Sequence, residues 1–274
     1  MIKEGVEILE RKLIFFDIDG TLLDHEKQLP KSTVQAISEL KEMGHILAIA
    51  TGRAPFMFKD IREELGIHTF VSLNGSYVVH EGSLIHHTPL DNEELHRFVP
   101  YATNQDHPII FEHVEEMFIT TSEYHPYVDG GMGGFNLRED AIYNPQCYLD
   151  QEMYQSVLFC MEKDESFYRE TFRKFDFVRF NEYATDVIPS GSSKAKGIEA
   201  LLQQLRIPLE HVYAFGDGLN DLEMMSFVKN SVAMGNAVDE VKQAAKYVTA
   251  PVDEDGIRKG LELVGLLDLN KAAK

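Results

Sequence analysis

Apolar residues follow two alternating rhythms along this chain: short unbroken runs, and i, i+3, i+4 spacings. Leu13-Ile14-Phe15-Phe16 is a run without polar alternation, the pattern of a strand buried on both faces of a parallel sheet. Pro30-Lys31-Ser32-Thr33 then supplies helix-start chemistry, Val34, Ile37, Leu40 and Met43 follow at helical spacing, and Gly44 closes the helix. A second strand is predicted over 45–50. Pro55 opens another helix, with Phe58, Ile61 and Leu65 on one face and Gly66 at its end, and a third strand runs from Thr69 to Leu73. This alternation predicts a parallel sheet with helices on both faces.

From Ser76 to His87 the pattern is a hairpin turning near Glu81-Gly82. Around Thr88 the texture changes. Up to about Val187, short β-rich runs (108–119, 156–161, 175–180) mix with helical pieces (92–101, 167–172) and a loose loop, Asp129-Gly130-Gly131-Met132-Gly133-Gly134. Beyond Pro189 the first texture returns. Ser190-Gly191-Ser192-Ser193-Lys194 leads into a helix carrying Ile198, Leu201, Leu202 and Leu205 on its apolar face. A fourth strand, His211 to Phe215, ends in Gly216-Asp217-Gly218-Leu219-Asn220-Asp221, and Ser231 to Met234 and Tyr247 to Thr249 are further strands. The expectation is one α/β core of about six strands, built from residues 1–87 and 187–274, with a smaller α/β domain, residues 88–186, inserted into it.

Composition narrows the function. The 274 residues include Lys+Arg 26 against Asp+Glu 45, a formal charge of -19. Such a surface repels nucleic acid and anionic membranes, so neither is expected as a partner. It also repels an anionic small substrate, so any phosphate site must carry its own cations, effective within a Debye length of about 8 Å. Two cysteines, Cys147 and Cys160, make no disulfide framework, no Cys/His group has zinc-finger spacing, and no run approaches a membrane span or a signal core. A cytoplasmic protein is the expectation. Nothing in the sequence sets the oligomeric state.

The candidate chemistry lies where the strands end. The first ends in Asp17 and Asp19, which alternation can place on one side of the chain, with Gly20 permitting a sharp departure. Two acids there repel each other, and a cation is the natural reason to hold them. The second strand ends in Thr51-Gly52, the third in Asn74-Gly75, and the fourth in Gly216-Asp217-Gly218 with Asn220 and Asp221. In an open α/β sheet the carboxyl ends of the strands line one crevice, where ligands bind.

This set resembles the haloacid-dehalogenase-like (HAD) phosphohydrolases over essentially the whole chain. Asp17-Ile18-Asp19-Gly20-Thr21 is similar to the first family motif, Ala50-Thr51-Gly52-Arg53 to the second, Lys194 to the third, and Gly216 to Asp221 to the fourth. The large insertion between the second and third motifs, with Asn-Gly after the third strand, resembles the Cof-type subfamily. The resemblance implies a Rossmann-like parallel-sheet core with an inserted α/β cap. It also implies a phosphatase acting on small phosphorylated metabolites, sugar phosphates or phosphorylated cofactors such as pyridoxal phosphate or flavin mononucleotide.

With that reading the residues take roles. Asp17 can attack phosphorus and form an aspartyl-phosphate. Asp19 is placed to protonate the leaving oxygen and later take a proton from water, its pKa pushed upward by the neighbouring acid and a lower dielectric. Asp17 and Asp217 can hold Mg²⁺, to which the resemblance adds the Asp19 carbonyl. Lys194 supplies a second positive charge, Thr51 and the Gly52 amide donate hydrogen bonds to the phosphoryl group, and Asn220 and Asp221 orient lysine, metal waters or phosphate. Lys196 competes for the cationic role; family spacing favours Lys194. Arg53 and Asn74 are candidate substrate contacts. A phosphomutase or phosphotransferase using the same aspartyl-phosphate, and a phospho-ligand-binding protein without chemistry, are the alternatives. His86, His87, His107, His113 and His125 match no metal-site spacing, and Asp253 to Gly256 reads as a turn before the last helix.

Overall fold

The computed structural model describes residues 11–132 and 140–268. In chain order the strands are β1 (Leu13–Phe16), β2 (Ile46–Ala50), β3 (Thr69–Ser72), β4 (Tyr77–His80), β5 (Ser83–His87), β6 (Ile109–Glu112) and β7 (Met117–Ile119). There follow β8 (Ile142–Tyr143), β9 (Gln155–Phe159), β10 (Phe175–Arg179), β11 (Ala184–Pro189), β12 (Val212–Gly216), β13 (Asn230–Ala233) and β14 (Tyr247–Val248). The chain divides into two compact units. The first takes the residues up to Ala50, Arg62–Phe70 and the chain from Leu202 onward; the second takes Thr51–Ile61 and Val71–Leu201.

In the first unit β14, β13, β12, β1 and β2 lie side by side in that order, all parallel. The four residues of β1 are fully buried, as an unbroken apolar run demands, and Phe16 stacks on Phe215 with ring centroids 5.2 Å apart. The helix Lys31–Glu42 buries Ala36, Ile37 and Leu40, ends at Gly44 with φ +82°, and is tied to the last helix, Gly256–Leu263, by Arg258 donating to Glu39 at 2.9 Å. Five of the six expected core strands are this parallel run. The sixth, β3, contributes Thr69 and Phe70 to the first unit and Val71 and Ser72 to the second.

In the second unit β4 and β5 form the expected hairpin, with Glu81 and Gly82 both at positive φ in its turn. A separate sheet has the order β10-β11-β9-β6-β7-β8, antiparallel except for the parallel β7/β8 edge. Its side chains alternate between two faces. Toward the helices Asn92–Asn104 and Glu162–Thr171 lie Phe111, Phe118, Leu158, Phe175 and Phe177, around a fully buried Phe98 that meets Tyr168, Phe172 and Phe175 edge-on. The opposite face carries Ile110, Val157, Phe159 and Ala184, packed with Val128, Met132, Phe56 and Met57. By the same alternation it also carries Glu112, Gln155 and Asp186. The described residues of the segment 88–186 lie in this second unit.

Three local readings change. The strand β11 went unseen because Thr185 and Asp186 interrupt the apolar pattern, yet it pairs with both β9 and β10. The helix expected over 167–172 begins at Glu162; its first turn, Glu-Lys-Asp-Glu, carries no apolar periodicity to announce it. Asp129-Gly130-Gly131 closes a short helix, Pro126–Gly131, rather than forming a loop, because Pro126 starts it and His125 Nδ1 accepts from the Tyr127 N–H. Gly133 and Gly134 lie outside the described residues. Among the described residues no helix is long and apolar enough to cross a membrane.

Candidate active site

The first unit gathers acids. The Asp17 N–H still donates to the Phe215 carbonyl at 2.9 Å, continuing the β1 ladder by one residue, and then the chain curls, Leu23 N–H reaching the Ile18 carbonyl at 2.8 Å. Gly20 has φ +77°, and a Cβ there would sit 2.3 Å from Asp217 Oδ2, so the bend and the close approach both require glycine. β12 ends at Gly216, and Asp217 leads into the turn Leu219–Asp221. One carboxylate oxygen each from Asp17, Asp217 and Asp221 falls within 4.8 Å of the others. Asp221 is fully buried, and its Oδ2 accepts from the N–H groups of Asp217 at 2.9 Å and Gly218 at 3.0 Å. Asn220 lies exposed in the same turn.

Two polar partners here escaped the sequence reading. Thr21 Oγ1 donates to Asp217 Oδ1 at 2.9 Å, and Asn236 Nδ2 donates to the Gly20 carbonyl at 2.8 Å and to Asp217 Oδ2 at 3.4 Å. Asn236 follows β13, so applying the strand-end rule to a fifth strand would have found it. Asp19 is partly exposed, and its Oδ1 accepts from Lys27 Nζ at 2.7 Å. Three carboxylates held this close repel one another, and their donor set is all hard oxygen, without sulfur or imidazole. A hard divalent cation fits that set.

The second unit gathers hydrogen-bonding groups around Thr51. Thr51 is buried, its N–H donates to the Val71 carbonyl at 2.8 Å, and its own carbonyl accepts from the Asn74 N–H at 3.2 Å. The Arg53 N–H donates to Thr51 Oγ1 at 3.1 Å. Leu73, Asn74 and Gly75 all have positive φ, and a Cβ on Gly75 would lie 2.0 Å from the Ser193 carbonyl. This contact sets the start of the helix Lys194–Leu205 directly against the Asn74-Gly75 turn. Lys194 is fully buried there, whereas Lys196 is exposed and pairs with Glu199 at 3.0 Å. Arg53 is partly buried.

Asn74 Nδ2 donates to Gln155 Oε1 at 2.9 Å and to Asp186 Oδ2 at 3.3 Å. Gln155 Nε2 donates in turn to Glu112 Oε2 at 3.0 Å and to the Gly52 carbonyl at 3.3 Å. Burial, with the Asp186 charge adding to it, drives the Glu112 carboxyl well above its ordinary pKa against the opposing hydrogen bond from Gln155. Burial likewise pushes Asp186 up to about 7, against the hydrogen bond from Asn74. None of Glu112, Gln155 and Asp186 stands in a motif, and only the folded sheet brings them to Asn74. The histidines serve local bonds, His107 Nδ1 to the Tyr168 hydroxyl at 2.7 Å and His86 Nε2 to Thr88 Oγ1 at 3.0 Å.

Comparison with known proteins identifies the family. The sequence profile of the haloacid dehalogenase-like hydrolases matches residues 14–261. YkrA of Bacillus subtilis (strain 168) is 45% identical over 260 residues, 94% of this chain and 100% of that protein. The 5-amino-6-(5-phospho-D-ribitylamino)uracil phosphatase YitU of the same organism is 28% identical over 264 residues, 91% of this chain and 96% of YitU. The solved structure of the HAD subclass IIB sugar phosphatase BT4131 matches with a TM-score of 0.82 at 30% identity, over 93% of this chain and 100% of that one. With the profile spanning both flanks and the segment between them, this chain belongs to the haloacid dehalogenase-like hydrolases and is a phosphatase of their Cof-type group.

Proposed function

We propose that this phosphatase hydrolyses small phosphomonoesters, with Mg²⁺, through an aspartyl-phosphate on Asp17. The observation that carries the reading is the carboxylate cluster of Asp17, Asp217 and Asp221 at the ends of β1 and β12. An Asp17 oxygen attacks phosphorus as the bond to the leaving oxygen breaks, and Asp19 gives that oxygen its proton. Water then attacks the same phosphorus and loses its proton to Asp19, which frees Asp17 and releases orthophosphate. Mg²⁺ held by Asp17, Asp217 and the Asp19 carbonyl would supply charge neutralisation for the phosphoryl oxygens. Lys194 is the second cation, favoured over Lys196 by its burial at a helix start. The Thr51 hydroxyl and the Gly52 amide donate to the phosphoryl group, while Asn220 and Asp221 orient the charged groups.

The segment 88–186 is read as the cap that selects the leaving group, with Arg53 and Asn74 as substrate contacts. The names of YitU and BT4131 support a sugar- or ribityl-type phosphomonoester as substrate. The test is phosphate release from p-nitrophenyl phosphate with and without added Mg²⁺ after treatment with a chelator, together with acid-quench trapping of a phosphorylated protein. Release that needs Mg²⁺, with phosphate trapped on wild type and absent from Asp17→Asn, is expected. Undiminished turnover by Asp17→Asn would remove the nucleophile, and efficient transfer to added sugars in place of release would make the protein a phosphotransferase.

A further inference from the structure

On the β6-β9-β11 face of the second unit, Ile110, Val157, Phe159 and Ala184 pack in an apolar cluster, while Glu112, Gln155 and Asp186 sit beside the Thr51-Gly52-Arg53 loop and Asn74. Burying two carboxyls at this place costs stability that apolar side chains of similar volume would not. Both acids have raised pKa values, a signature that gathers at functional sites. Gln155 is itself buried, and every polar atom of its side chain is used. Its Oε1 accepts from Asn74, and its Nε2 donates to Glu112 and to the Gly52 carbonyl.

Gly52 accounts for the arrangement. A peptide group is planar and trans, so fixing the direction of the Gly52 carbonyl fixes the Arg53 N–H on the opposite side of the same plane. That N–H donates to Thr51 Oγ1 at 3.1 Å. With a lone pair of Oγ1 committed to it, the Thr51 hydroxyl proton must be directed elsewhere. The Asn74 N–H to the Thr51 carbonyl, at 3.2 Å, closes the ring from the other side. We infer that Gln155, braced by Asn74, is a positioning residue for the phosphate-binding threonine: its amide holds the Gly52–Arg53 peptide so that the Thr51 hydroxyl is presented as a donor to the phosphoryl group. Glu112 and Asp186 brace this amide pair by accepting from Gln155 and Asn74. The inference rests on Thr51 binding the phosphoryl group, as proposed above.

The experiment is a double-mutant cycle on the whole protein, reading inhibition by orthophosphate and kcat/KM for p-nitrophenyl phosphate. Gln155→Leu is expected to weaken orthophosphate inhibition about tenfold and to lower kcat/KM in step, since an aryl phosphate offers no hydroxyl whose loss could mimic the effect. Thr51→Val should show a comparable loss, and adding Gln155→Leu to it should cost less than about twofold more. If Gln155→Leu does not fold, Gln155→Met replaces it, an unbranched side chain of similar length that has no donor for the Gly52 carbonyl. Unchanged orthophosphate inhibition in the Gln155 variants would overturn the inference, as would fully additive losses. A Thr51→Val enzyme that binds orthophosphate normally would overturn the role of Thr51 itself and this inference with it.

Discussion

The two units deal with crowded carboxyl groups in opposite ways. In the first, Asp17, Asp217 and Asp221 are held within 4.8 Å by backbone N–H groups, a threonine and an asparagine, a hard-oxygen set that a divalent cation fits. In the second, Glu112 and Asp186 sit among the amides of Asn74 and Gln155, and burial favours their protonated forms. Like charges at short range must be relieved by a counter-ion or by a proton. The first remedy leaves the carboxylates charged, as the proposed chemistry on Asp17 requires. The second favours the protonated carboxyl where burial leaves hydrogen bonds as its partners.

The largest test of this contrast is Asp17→Asn, expected to lower kcat for p-nitrophenyl phosphate by about 10⁴-fold, with Asp217→Asn acting chiefly through the Mg²⁺ concentration needed for half-maximal rate. Next, Lys194→Ala should lower kcat/KM by about 10²-fold or more if Lys194 is the second cation of the proposed mechanism. Lys196→Ala should stay within about twofold of wild type, since an exposed pair such as that with Glu199 contributes little. An equal loss in both lysine variants would erase the distinction that burial draws between them.

Asp221→Ala separates metal holding from folding. It leaves the N–H groups of Asp217 and Gly218 without their acceptor, at a cost of about 1–3 kcal/mol for each group left buried and unsatisfied, and thermal unfolding should report a lower Tm with or without Mg²⁺. A variant with wild-type Tm and only weaker Mg²⁺ dependence would make Asp221 a ligand and nothing more. The smallest effect belongs to the buried acids of the second unit. Asp186 is raised from the ordinary carboxyl value to about 7, so the folded state holds its proton where the unfolded state has lost it. The associated stability is complete below about pH 4 and is lost as pH rises through about 7. Asp186→Asn should flatten that slope in Tm measured from pH 4 to pH 8, and an unchanged slope would show that Asp186 carries no such proton.

Much of the core was legible because its signals are local. An unbroken apolar run such as Leu13 to Phe16 can be satisfied only by burial on both sides, and acids directly after it stand at the strand end whatever the rest of the chain does. The strand β11 was not legible because Thr185 and Asp186 interrupt its apolar pattern. Asp186 looks like a break in a strand until Asn74, 112 residues away, is found to donate to it. The Glu162 turn was missed for the opposite reason, since a solvated first turn needs no apolar stripe.

The sequence by itself determined which residues end the buried strands, and so the presence of Asp17, Asp19, Thr51, Asn74 and Asp217 as the chemical vocabulary of the protein. Spacing along a strand is a covalent fact. What only the tertiary structure decided is which of those groups share a partner: that Asp221 joins the acid cluster, that Thr21 and Asn236 hold Asp217, that Lys194 is buried and Lys196 is not. It also decided that Gln155 reaches Asn74 across 81 residues of chain. Such pairings depend on burial and register in a folded sheet, where a hydrogen bond worth little in water becomes obligatory because no water remains to replace it.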